Sequence, residues 1–378
     1  MTGLGLYIHI PYCRSKCGYC SFNSVPWPGD GPDDYLDAVL AEMAQVAGGW
    51  GSDRVFTSLF IGGGTPTVYD GRALARLLAA CRTQFCWIDD PEITIETNPN
   101  TVTAANLASS RAAGANRLSI GVQAFDDRLL AVIGRSHSVA QAVQAVTLAR
   151  QTGFSNLNLD LIYGLPTQSL DEWRQSLNAA LDLSPDHLAL YELTIETGTL
   201  FAERQSRGEL PLPDDDTVAE MAELGHELLA RHGYLRYEIS NYARPGSECR
   251  HNQNYWRNGS YVGLGAGAVS SFDGLRLKNI DNPAEYMARV QAGSVAFQDG
   301  EALGLSASFR ETVIMGLRML AGVSLASLRQ RYGIEPQTYY GETLKKLRDR
   351  GLVEVDDERL WLTPKGLPVA NQVLSELV

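Results

Sequence analysis

Cys13, Cys17 and Cys20 stand in the spacing C-x3-C-x2-C within GLYIHIPYCRSKCGYCSF. Three thiolates on a short loop suit soft iron, and they fall one ligand short of the four-cysteine cage of an iron–sulfur cluster. Such a loop offers an iron with a vacant position, where a small molecule can bind and be activated. The same spacing also serves zinc, given one distant fourth ligand, and closely spaced cysteines also occur as plain core residues.

That loop must be positioned by a repeated strand and helix rhythm. Runs rich in branched and aromatic residues predict strands at residues 6–10, 55–61, 92–96, 117–122, 157–163 and 187–193. Apolar residues three and four apart predict helices over 34–47, 74–81, 104–112, 140–151 and 173–181. Strands joined by helical crossovers pair in parallel, and six such units curl into a partial (β/α)6 barrel; an open doubly wound sheet is the competing arrangement.

In parallel β/α folds the loops after the strand C-termini build the site. The cysteine loop follows the first predicted strand, GGGTP (62–66) the second and ETNP (96–99) the third; GVQ (121–123) ends the fourth, and YGLP (163–166) ends the fifth, just after Asp160. Consecutive glycines let a ligand approach a backbone whose exposed amides hold a carboxylate or phosphate, although a glycine-rich stretch is also an ordinary turn. Glu96, Gln123 and Asp160 suit the amine, ribose or carboxylate of a nucleoside-like ligand. Asp160 reads equally as a buried carboxylate satisfied by backbone amides or an arginine. Five such features share one rim.

The 378 residues exceed one average domain, which predicts a large barrel or sheet with an appendage. With 44% hydrophobic and 20% charged residues and no long apolar run, the composition is that of a globular protein without an integral membrane segment. A strand-like LYIHI begins at residue 6, leaving no room for a signal peptide, so a cytoplasmic location is expected. Six cysteines, three of them clustered, fit a reducing compartment better than a disulfide framework. A net charge of −12 argues against general affinity for nucleic acid.

These motifs together resemble the radical S-adenosylmethionine (SAM) enzymes of the oxygen-independent coproporphyrinogen III oxidase group, over almost the whole chain. The resemblance implies that Cys13, Cys17 and Cys20 bind a [4Fe–4S] cluster whose fourth iron is chelated by SAM, and that GGGTP meets the methionine amine. It puts Tyr7, Tyr19, Gly63, Gly64, Thr65 and Glu96 in the SAM pocket. NRLSIGVQAFDDRLLAVIGRSH and NLDLIYGLP carry further SAM contacts onto Gln123, Arg135 and Asp160, some of which surround a second SAM in the oxidases. The implied chemistry is reductive cleavage of SAM to a 5′-deoxyadenosyl radical, which needs an electron donor such as a flavodoxin or ferredoxin.

Within that group the oxidases carry a fourth cysteine two residues after the third, where this chain has Phe22, and a longer segment before the cluster, where this chain has twelve residues. RPGSECRHNQNYWRNGSYVGLGAGA contains H-N-x-x-Y-W from His251 to Trp256, which resembles the haem-binding signature of the HemW-type haem chaperones. A neutral His251, or a thiolate at Cys249, would ligate haem iron, and Tyr255 and Trp256 offer flat apolar surface to a porphyrin. His251 also reads as a hydrogen-bonded histidine in a packed turn. Ser21 stands where these chaperones commonly have Asp, and Val269 where many have His. The expectation is a haem chaperone that passes haem to an acceptor protein, with cluster and SAM serving regulation or release. The alternative is a radical SAM enzyme that decarboxylates a porphyrinogen or transfers a methyl group.

The remaining chain reads as accessory. The expected division is a barrel over 1–197, a linking region over 198–300 that carries the haem candidate, and an α+β winged-helix-like domain of the coproporphyrinogen oxidase type over 301–378. His226 and His232 read as surface histidines, and Cys81 and Cys86 as buried thiols. Short helices followed by the hairpin GLVEVDDERLWLTPKG raise the possibility of DNA binding, but ten basic against nine acidic residues from Ser306 onward give no electropositive footprint. A lid or partner-docking role is the better reading.

Overall fold

The computed structural model describes residues 3–29, 33–49, 51 and 54–378. Six parallel strands form as the periodicity predicts: β1 (Leu4–Ile10), β2 (Val55–Gly63), β3 (Cys86–Thr97), β4 (Arg117–Gln123), β5 (Asn156–Tyr163) and β6 (His187–Glu192). The crossovers are α1 (Asp33–Gly48), α2 (Gly71–Gln84), α3 (Ala104–Ala112), the pair α4 (Asp127–Val132) and α5 (Val139–Gln151), and α6 (Leu170–Asp182). Their starts are set by short polar caps: Asp70 accepts from two amides of α2, and Thr103, Ser138 and Ser169 each close a capping box.

Each strand turns apolar residues outward to these helices and a different set inward. In β5, Leu157, Leu159 and Leu161 are fully buried in the main core. Asn158 and Asp160, at the alternate positions, hydrogen-bond to Ser119 of β4. Trp173 of α6, also fully buried, donates its indole N–H to the Met221 carbonyl at 2.8 Å.

The sheet does not stop at six strands. Beyond β6 come α7 (Leu200–Ser206), α8 (Asp215–Arg231), β7 (Leu235–Arg236), β8 (Asn241–Ala243) and α9 (Arg250–Trp256). Then follow β9 (Tyr261–Leu264), β10 (Val269–Phe272), β11 (Leu275–Asn279), α10 (Pro283–Gln291) and β12 (Phe297–Ala302). The spatial order is β12-β11-β10-β9-β1-β2-β3-β4-β5-β6-β8-β7, with β9 parallel to β1 and β8 antiparallel to β6. The region between barrel and tail therefore extends both edges of the sheet instead of merely linking.

Glu42 of α1 ties that extension down. Its buried carboxylate accepts from the Gly265 amide (2.8 Å), Tyr286 Oη (2.7 Å) and Asn279 Nδ2 (2.6 Å). Burial pushes this carboxyl up to about 7 despite those donors.

From Leu305 a second core forms around Phe309, Val313, Leu328, Leu347 and Leu360. It joins α11 (Leu305–Gly316), α12 (Leu325–Tyr332), α13 (Pro336–Tyr340) and α14 (Glu342–Asp349) to a three-stranded sheet of β13 (Val323–Ser324), β14 (Val353–Val355) and β15 (Arg359–Leu362). The charged hairpin is the pair β14–β15.

Two smaller expectations divide. Cys81 is buried, but Cys86 is exposed: it opens β3 opposite Val55, itself 48% exposed, at a strand tip. His226 and His232 are both exposed, as expected.

Candidate cofactor site

The cysteine loop leaves β1 and is braced from three sides. The Gly18 amide donates to Ile133 O (3.2 Å), Phe201 N donates to Gly18 O (2.9 Å), and Trp27 N donates to Cys13 O (2.7 Å). A Cβ on Gly18 would lie 2.7 Å from the Phe201 ring, so the loop is seated where only glycine fits. Within it, Thr65 Oγ1 donates to Cys13 Sγ (3.5 Å) and Arg135 Nη1 to Cys17 Sγ (3.6 Å).

One cavity at the strand C-termini is lined by Cys13, Cys17 and Cys20 together with Tyr19, Gly63, Gly64, Thr65, Glu96, Gln123, Arg135 and Asp160. Residues far apart in sequence thus meet on one rim, as the strand-end argument requires. Tyr7 stands apart from this lining: its hydroxyl meets His9 Nδ1 at 2.9 Å, and its ring stacks on Phe60. Phe22 reaches the same cavity with 66% of its surface exposed. A second, surface groove lies between α6 and α8 and contains none of the motif residues.

The glycine run does something other than the sequence suggests. Gly63 N donates to Glu96 Oε2 (2.9 Å), Gly64 N to Ile10 O (2.8 Å) and Thr65 N to Tyr12 O (2.7 Å), so these amides are already engaged and form no anion cradle. The glycines permit close packing within the chain. A Cβ on Gly63, where φ is +112°, would sit 2.5 Å from the His9 ring, and one on Gly64 would sit 2.6 Å from Tyr12 O. With the amides taken, the charged group beside this loop is the Glu96 carboxylate, which suits a ligand amine better than a ligand anion.

Gln123 reaches the rim through an irregularity. The pairing of β4 with β5 shifts register at Gly121/Gln123, and Gln123 has a φ of 71°, rare for a residue with a side chain. Arg135 bonds to the Gly121 carbonyl as well as to Cys17.

Electrostatics at the rim favour a bound cation beside the carboxylates. Burial first, then the Asp160 charge, pushes Glu96 up to about 8, and burial also raises Asp160. Burial likewise raises the Cys13 and Cys20 thiols, against the lowering effects of the Thr65 bond on Cys13 and the Phe22 backbone on Cys20. Thiols held so need a positive partner to ionise, which iron supplies when bound. Among the described residues no three His, Cys, Asp or Glu side chains converge on a single-ion position. Thiolates that each hold a separate corner of a cluster have no need to converge so closely. Thr97 Oγ1, Asn100 Oδ1 and Arg135 Nε are buried around the same cavity without partners, as a site for a polar ligand requires.

The haem-candidate segment lies elsewhere, on α9. Glu92 of β3, which sequence reasoning did not single out, supplies the cap that Cys249 does not. Its carboxylate accepts from Arg250 N and His251 N, both at 2.9 Å, and from Cys249 Sγ at 3.4 Å. His251 is 1% exposed. Its Nδ1 meets Ser58 Oγ at 2.8 Å, its Nε2 meets Tyr255 Oη at 3.1 Å, and it stacks on Phe60. Burial, then the Arg117 charge, drives its pKa down to about 3, so the imidazole is neutral. The thiol of Cys249 is buried and pushed up to about 12. The Trp256 ring lies under the Arg318 guanidinium at 4.4 Å, and its indole N–H is buried without a partner. Val269 is half-buried in β10, paired with Lys278.

Fold and rim together define the class. Residues 7–180 match the Radical SAM superfamily, and residues 308–369 match the HemN C-terminal domain. The solved coproporphyrinogen III oxidase (HemN) from Escherichia coli, described as a radical SAM enzyme, superposes with a TM-score of 0.87 at 27% identity, covering 100% of this chain and 90% of that one. This is a radical SAM protein of the coproporphyrinogen oxidase type of fold.

The curated relatives narrow this further. The "Heme chaperone HemW" of Mycobacterium tuberculosis H37Rv is 37% identical, covering 99% of this chain and 94% of its own. That of Bacillus subtilis is 36% identical over 97% of each chain, and that of Escherichia coli K12 is 44% identical over 75% of each. The chain belongs to the HemW haem-chaperone family of the radical SAM superfamily.

Proposed function

We propose that this protein holds haem at α9 and passes it to an acceptor protein, with a [4Fe–4S] cluster on Cys13, Cys17 and Cys20 and SAM across the rim. The observation that carries this reading is the match to relatives named heme chaperone HemW over nearly the full chain. Phe22 agrees with it, since it replaces the fourth cysteine that the resemblance assigns to the oxidases. By the same resemblance GGGTP meets the SAM amine, with the Glu96 carboxylate beside it, and Tyr7, Tyr19, Gly63, Gly64, Thr65, Gln123, Arg135 and Asp160 belong to the pocket, although Tyr7 stands outside the cavity lining.

His251 is the haem ligand in this reading. In the tautomer with Nδ1–H donated to Ser58, Nε2 keeps the lone pair that accepts from Tyr255; a haem iron would take that lone pair once the Tyr255 hydroxyl and the packing that leaves His251 1% exposed had moved aside. Burial keeps the imidazole in its neutral, ligating form. Tyr255 and Trp256 would present the flat surface. No described helix is long and apolar enough to cross a membrane. A flavodoxin or ferredoxin would supply electrons to the cluster.

The superposition on coproporphyrinogen III oxidase favours one second reading, a catalyst acting on a porphyrinogen. Incubating the anaerobically reconstituted protein with coproporphyrinogen, SAM and reductant separates the two. The chaperone reading predicts no decarboxylated or methylated product, and transfer of haem from the loaded protein to an added apo-haemoprotein. Product at enzymic rates would overturn it.

A further inference from the structure

Inside the barrel a chain of hydrogen bonds runs from the rim to α9, and only its first member, Asp160, belongs to the expected site. Asn158 Nδ2 donates to Asp160 Oδ1 at 2.8 Å. Asn158 Oδ1 meets His187 Nδ1 at 2.6 Å, and His187 Nε2 meets Tyr237 Oη at 2.9 Å. Asn252 of α9 donates from Nδ2 to the same Oη at 3.4 Å.

The direction of every link follows from the carboxylate. Asn158 must turn its NH2 toward Asp160, which leaves its oxygen for His187, so Nδ1 of His187 carries the proton. The imidazole is neutral, because burial and the Arg117 charge hold its pKa well below the ordinary value, so Nε2 accepts and Tyr237 donates. Tyr237 Oη is then free to accept from Asn252. All donations run from α9 toward Asp160, and bonds aligned in this way polarise one another. The long Asn252 link is the weakest and the first to yield.

Tyr237 also touches the C-terminal core. Its carbonyl accepts Leu320 N at 3.0 Å, and its neighbour Glu238, 0% exposed, bridges to Met319. The Glu238 carboxylate faces Arg318 at 3.9 Å, the same guanidinium that lies over Trp256.

We infer that Tyr237 is a positioning residue that couples occupancy of the rim at Asp160 to the arrangement of α9 and of the C-terminal segment resting on it. This rests on the reading that SAM occupies the rim. A ligand hydroxyl donating to Asp160 draws on the same carboxylate charge that Asn158 and Ser119 share, weakens the aligned chain, and changes the hold on Asn252. Each ligand then reports on the other, because coupling between sites is reciprocal.

The test is amide hydrogen exchange of the cluster-reconstituted protein, with and without SAM and with no haem added. In the unmodified protein SAM should change exchange both at residues 96–98 and at residues 250–256, the latter by about fivefold or more, the low end of common couplings. In Tyr237→Phe the change at 96–98 should persist, and that at 250–256 should shrink to within about twofold. Asn252→Ala, which cuts the other end of the link without touching the barrel interior, should do the same. An α9 response confined to noise in the unmodified protein, or undiminished in both variants, overturns the inference. No response at 96–98 would instead overturn the SAM assignment, and the coupling with it. Haem binding plays no part in either outcome.

Discussion

Glu96 and His251 titrate in opposite senses, and both leave a mark on stability. Glu96 is raised from 4.5 to about 8, so folding takes up a proton there and its contribution worsens as pH climbs from about 4.5 to 8. Glu42, raised to about 7 by burial, adds to the same decline. His251 is lowered from 6.5 to about 3, so its contribution is fully present above 6.5 and is lost as pH falls toward 3. Thermal unfolding of the ligand-free protein followed from pH 4 to pH 8 should therefore show a flatter alkaline decline in Glu96→Gln. An unchanged slope would place the titrating group elsewhere. At this scale the sequence was most legible where chemistry is written as spacing: the three cysteines and the strand-end residues share one cavity. The barrel interior was less so. Asn158 and Asp160 show in the alternation NLNLDL, and Arg117 and Ser119 in RLSI, yet that period says only that one face is polar and not which partners meet there.

Among the elements, α9 depends on a residue 157 positions or more away in sequence. Glu92 takes three donors at its start, so Glu92→Ala leaves two amides and a thiol unpaired in a buried setting. The expected cost is about 1–3 kcal/mol of unfolding free energy, read by urea denaturation. Exchange of the α9 amides should also quicken, and a loss confined to the α9 amides with no global change would mean the helix unfolds alone. The six parallel strands were readable because each is a compact apolar run between helical periods. The edge strands were not: β12 reads FQDGEA, with five of its six residues exposed, and β7 has only two residues. Such strands are held by neighbours in the sheet and carry no pattern of their own. The GGGTP stretch was legible as a special turn, but its reason was not. Its glycines make room for His9 and Tyr12, and only the folded chain brings those residues to it.

At the scale of the whole molecule, Arg318 of the C-terminal segment spans Glu238 and Trp256. Arg318→Ala removes the cation facing the fully buried Glu238 carboxylate, which keeps its bonds from Ser240 N and Asn241 Nδ2, and uncovers the indole face. Stability is expected to fall by about 1–3 kcal/mol, with Trp256 fluorescence shifting as its cation is lost. Unaltered stability and emission would show that the contact holds nothing. The C-terminal segment is bonded close to the haem-candidate segment: Asn258, two residues past α9, donates to Glu311 and Thr312. Haem titration of the anaerobically reconstituted protein tests whether α9 receives haem through His251. A saturable, stoichiometric Soret shift is expected, lost in His251→Ala while the cluster absorbance stays. A wild-type spectrum that remains that of free haem would contradict it.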